Sequence, residues 1–86
     1  EIPRLVLRLV DAERVLVCAG GDDAIDRACR ACLEPGRELI LPTPTFEMIR
    51  RSAELAGASV RTVPWVADAY PTSAVLAEVT DRTSMI

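Results

Sequence analysis

The hydrophobic and polar positions of this chain fall into blocks with different periods. Val15-Leu16-Val17-Cys18 is an unbroken apolar run stopped by Gly20-Gly21. Such a run predicts a parallel strand covered on both faces. Beyond it, Ile25, Ala28, Cys29, Cys32 and Leu33 recur at i, i+3, i+4, i+7 and i+8. That spacing sets them on one stripe of a helix facing a core. Asp26 and Arg30 stand four apart on the opposite side, acid first, which is the favourable order. Asp22 is the expected N-cap of this helix, and Pro35-Gly36 its end.

Leu39-Ile40-Leu41 reads as a second buried strand, with Pro42 and Pro44 bracketing a rigid, extended loop. Thr45 is placed to cap a helix of roughly residues 46–56, which Gly57 ends. Residues 60–63 read as a third strand and residues 65–71 as a loop. Thr72 or Ser73 opens a third helix running to about Val79, and residues 83–86 look like a fourth strand cut short by the end of the chain. At the other end, residues 3–10 suggest a short helix with Pro3 in its first turn, followed by the polar connector Asp11-Ala12-Glu13-Arg14. Strand and helix alternate, so the expected fold class is α/β. The expected architecture is three-layer: a mainly parallel sheet with flanking helices, joined by right-handed crossovers.

Composition narrows the function. The 86 residues are 50% hydrophobic and 27% charged, which is not the composition of a disordered chain. This length fits one domain or part of one. Thirteen acids face ten bases, all arginine, for a net charge of −3; that balance argues against a nucleic-acid partner. No apolar run approaches the roughly 20 residues needed to cross a membrane, and no signal peptide is visible. Cys29 and Cys32 have the C-x-x-C spacing of some redox and metal sites. No histidine and no second cysteine pair accompany them, so no metal site is expected and they read as small buried hydrophobes on the helix stripe. Free cysteines fit a reducing cytoplasm.

Two places could carry chemistry. The turn Ala19-Gly20-Gly21-Asp22-Asp23 joins a strand end to a helix start. Free amides and the helix dipole at such a start attract phosphate, and glycines let the backbone approach it closely. The two aspartates look wrong for an anion site unless their side chains point away. A strand–Gly-Gly–helix junction is also ordinary in α/β proteins that bind nothing there. A dinucleotide fingerprint needs G-x-G-x-x-G, and a nucleoside-triphosphatase loop needs Gly-Lys; this chain has adjacent glycines and no lysine. The other place is Phe46, the only phenylalanine. On pattern alone it is a core anchor at the start of the second helix. The functional alternative is a flat platform for an aromatic ligand.

The ordered set Val15-Leu16-Val17, Gly20-Gly21-Asp22-Asp23, Leu33-Glu34-Pro35-Gly36 and Pro44-Thr45-Phe46 resembles the large domain of fold-type I, pyridoxal-phosphate-dependent aminotransferases. Leu55-Ala56-Gly57-Ala58 and Val63-Pro64 extend the likeness, which covers about Leu5 to Ile86. The nearest subgroup looks like the histidinol-phosphate aminotransferase type. The resemblance implies that residues 1–86 are part of one cofactor-binding large domain, with no second domain in the chain. It implies pyridoxal 5'-phosphate as cofactor, with Gly21 and Asp22 offering amides to its phosphate, Gly20 shaping the turn and Phe46 stacking on the pyridine ring. It also implies amino acid and 2-oxo acid substrates, or an amino-alcohol phosphate as donor, in a cytoplasmic homodimer.

The family's Schiff-base lysine, pyridinium-pairing aspartate and ring-contacting asparagine all fall after the last residue of this chain. The chain contains neither lysine nor asparagine, so no catalytic residue is assigned within it. Two rivals stand beside this reading. One is a decarboxylase or lyase of the same fold acting on phosphorylated amino acids; the other is a non-catalytic α/β binding domain. Arg50-Arg51 reads as a solvated face or a dimer contact, and Trp65 and Tyr70 as packing their loop against a neighbouring domain.

Overall fold

A computed structural model describes residues 10–86. The expected helix at 3–10 lies almost wholly outside them. A single 3-10 turn, Ala12–Arg14, precedes the regular elements. These are α1 (Gly21–Cys32), β1 (Glu38–Thr43), α2 (Glu47–Leu55), β2 (Ser59–Pro64), α3 (Thr72–Glu78) and β3 (Thr83–Met85).

The three strands form one parallel sheet in the order β2-β1-β3. Strand parity sorts the core. Leu39 and Leu41 of β1 face Cys29 and Leu33 of α1 and Ala53 of α2, with Ile25, Ile49 and Val60 packed around them. Ile40 points the other way and meets Val63 of β2 and Val75 of α3. So α1 and α2 cover one face and α3 the other, which is the expected three-layer α/β arrangement. The path from β1 through α2 to β2 steps outward on one face. The path from β2 through α3 to β3 steps back across β1 on the other face. Reversing both direction and face gives the two crossovers the same hand.

Local chemistry explains the boundaries. The α1 stripe is as predicted at Ile25, Cys29 and Leu33 but not at Cys32, and Asp26 pairs with Arg30 at 3.0 Å. Gly20 is the N-cap, at φ 89° and ψ 179°, a conformation open to glycine and strained for other residues. The expected cap Asp22 lies two residues past the N-cap, already inside the helix. Thr45 is not a cap either; α2 starts from Phe46, whose carbonyl accepts from the Ile49 amide at 3.3 Å. Gly57, at φ 85°, ends α2 as expected.

Two expectations fail for want of a neighbour. Residues 15–18 are not a strand: Leu16 is 67% and Val17 53% exposed. A strand needs a partner for its backbone groups, and among the described residues 15–18 pair with none of the three strands. The sheet of the described residues therefore has three strands rather than four. Cys32 is exposed while Cys29 is fully buried. Cys29 and Leu33 beside it are buried in the core, but among the described residues no element covers Cys32.

Candidate functional site

The short connection over residues 33–37 reverses the chain, so α1 runs antiparallel to β1. Its N-terminus therefore reaches the carboxyl edge of the sheet, where ligands bind in open α/β folds. Residues 44–46 leave β1 at that same edge. Gly20, Gly21, Asp22 and Phe46 are thus brought to one side of the molecule by the topology.

The turn at the head of α1 has the properties an anion requires. The first amide committed inside the helix is that of Ala24, which donates to the Gly20 carbonyl at 3.1 Å. Among the described residues the amides of Gly21, Asp22 and Asp23 make no hydrogen bond, and they sit at the positive end of the helix dipole. A side-chain carbon built at Gly20 or Gly21 meets no heavy atom within 4 Å, so the chain is not crowded at either Cα. The residues present fit a phosphate group. The nearby carboxylate of Asp23 is turned away from them. Its Oδ2 accepts the Ala19 amide at 2.8 Å and Arg27 Nε at 3.0 Å. The Ala19 amide, and then Arg27, hold this carboxyl below its ordinary value.

Phe46 is 55% exposed, so among the described residues it is not a core anchor. Its ring borders a depression of about 300 Å³ that Leu41, Thr43, Pro44, Glu47, Arg50 and Thr62 also line. The Gly20–Gly21 turn is not part of that depression. The turn and the ring share an edge without sharing a pocket. Trp65 and Tyr70 pack on each other edge to face, with ring centroids 5.3 Å apart.

A second polar constellation lies on the α3 side of the sheet. Glu38 is nearly buried; its Oε2 accepts Arg61 Nε at 2.7 Å and its Oε1 accepts the Thr80 hydroxyl at 2.7 Å. Arg61 Nη1 also donates to Glu78 at 2.9 Å. Arg61, then Thr80, hold the Glu38 carboxyl below its ordinary value. The pattern of the sequence missed this cluster, and for Asp23 it went no further than a side chain pointing away from an anion. The signal for Asp23 was present: an acid three residues after the N-cap is the spacing of a capping box. For Glu38 there was none, because its partners are far away in sequence.

The aminotransferase class I and II family matches residues 5–81. The chain belongs to the aminotransferase class I and II family. Histidinol-phosphate aminotransferase of Geobacillus thermodenitrificans is 35% identical over 77 residues, 90% of this chain and 21% of the relative. That of Dinoroseobacter shibae is 38% identical over 77 residues, again 90% and 21%. The Escherichia coli enzyme is 48% identical over 56 residues, 64% of this chain and 16% of the relative. This member of the family thus spans about a fifth of the length of the curated relatives it matches. The fold resembles that of YbdL from Escherichia coli, described as having a methionine aminotransferase function. The TM-score is 0.69 at 22% identity, over 77% of this chain and 18% of that one.

Proposed function

We propose that the full-length protein is a pyridoxal-phosphate-dependent transaminase. It moves an amino group between an amino acid, or an amino-alcohol phosphate, and a 2-oxo acid. The family match carries this reading, together with the placement of a free-amide turn and an exposed aromatic ring on one edge of the sheet. The relatives' name points to histidinol phosphate as the first donor to try.

In this reading each residue has a defined task. The amides of Gly21 and Asp22 donate to the cofactor phosphate, and Gly20 permits the turn that aims them. Phe46 supplies a flat face for the pyridine ring; it offers stacking but no hydroxyl for hydrogen bonding. The bound cofactor supplies the electron sink that amino transfer needs. The chain has no lysine, so the covalent anchor of the cofactor belongs to another part of the protein. A cytoplasmic homodimer is part of the same proposal and rests on the family alone.

The test is amino transfer by the purified full-length protein, supplied with pyridoxal phosphate, histidinol phosphate and a 2-oxo acid. Formation of the amino acid corresponding to the 2-oxo acid is expected. Release of carbon dioxide from an amino acid with no amino transfer would replace the reading with a decarboxylase. No turnover with any donor would overturn it.

A further inference from the structure

We infer that Asp23 is the positioning residue of the anion-binding turn: its carboxylate braces the backbone so that the Gly21 and Asp22 amides stay aimed outward. This rests on the phosphate-side role given to the turn above. Asp22 and Asp23 are adjacent acids in one helical turn, yet the structure gives them different tasks. Asp22 is exposed, and among the described residues its side chain makes no hydrogen bond or ion pair. It can contribute its amide. Asp23 reaches back over the turn and accepts from the Ala19 amide at 2.8 Å.

That bond closes a loop around Gly20 and Gly21. The loop holds Gly20 at its positive φ, from which the chain enters α1. A free glycine pair samples many conformations, and each amide would aim at the phosphate only part of the time. The brace removes that freedom before the ligand arrives, which is how preorganisation raises affinity. Arg27, one helical turn on, meets the same oxygen at 3.0 Å. It offsets the carboxylate's charge, so an incoming anion meets less repulsion. The acid that looked wrong for a phosphate site is therefore part of its construction.

The experiment compares wild-type full-length protein with Asp23→Ala and Asp23→Asn. For each, affinity is measured for pyridoxal phosphate and for pyridoxal, which lacks the phosphate, along with hydrogen exchange at the Ala19 amide. Asp23→Ala is expected to weaken pyridoxal phosphate binding about tenfold, in line with loss of a helix cap of about 1.4 kcal/mol. Pyridoxal binding should be unchanged, and exchange at Ala19 faster. Asp23→Asn keeps an acceptor for the Ala19 amide and should recover most of the affinity. Equal weakening of both ligands would mean general destabilisation and would overturn the proposal. Unchanged binding of both would overturn it as well. If the wild type itself shows no preference for the phosphorylated ligand, the assignment of the turn fails, and this inference with it.

Discussion

Phe46 and Gly57 show how much a single position decides. Phe46 is exposed at the carboxyl edge, so replacing it costs little core packing. Phe46→Ala in the full-length protein should weaken pyridoxal phosphate binding by about two- to tenfold, the worth of one stacked aromatic contact. Phe46→Tyr should keep that affinity. A spectroscopic titration separates the two, and equal affinities for all three proteins would remove Phe46 from the site. Gly57 works through the backbone. Its φ is +85°, and a methyl group there would lie 2.8 Å from Pro35 Cγ. Gly57→Ala should cost about 1–2 kcal/mol for the left-handed conformation alone, plus the displacement of Pro35. The denaturation midpoint of the full-length variant reads this directly; an unshifted midpoint would contradict it. Both positions stood out in the sequence, one as a lone aromatic and the other as a helix stop. Their neighbours did not, since Pro35 and Gly57 are distant in sequence.

At the scale of elements, periodicity was a good guide wherever the partner lies inside the chain. The α1 stripe, apart from Cys32, the β1 run and the α2 stop match the pattern, because burial against the sheet selects those residues. Pairing was not legible. An apolar run such as residues 15–18 signals burial but does not say which strand lies beside it. The Glu38 cluster was hidden for the same reason: Glu38 starts β1, Arg61 is in β2, Glu78 ends α3, and Thr80 and Arg82 lie in the turn before β3. The cluster gives the fold an acid-sensitive fastening. Arg61, Thr80 and the nearby charge of Arg82 favour the ionised Glu38 in the folded state. A depressed folded value means stability that is present above the ordinary glutamate range, about pH 4.3, and is lost as pH falls through the lower folded value. Urea midpoints of the full-length protein should therefore fall on acidification through this window. Glu38→Gln should start lower and lose less across it. An identical acid limb in both proteins would exclude Glu38 as a contributor.

Among the described residues, several large apolar side chains stay exposed. Leu16, Val17, Val66, Leu76 and Ile86 are all exposed. Residues 10–86 form two core clusters on either side of three strands, with the run at 15–18 left uncovered. Expressed by itself, the 86-residue segment should self-associate or unfold over a broad range. A monodisperse monomer with a sharp thermal transition would contradict this. In the proposed function this segment forms the phosphate side of the family's cofactor site. A crystal structure of the full-length protein with pyridoxal phosphate tests it most directly. The phosphate is expected on the amides of Gly21 and Asp22, with the pyridine ring against Phe46. Phosphate held elsewhere, with the turn at Gly20 empty and Phe46 clear of the ring, would contradict it.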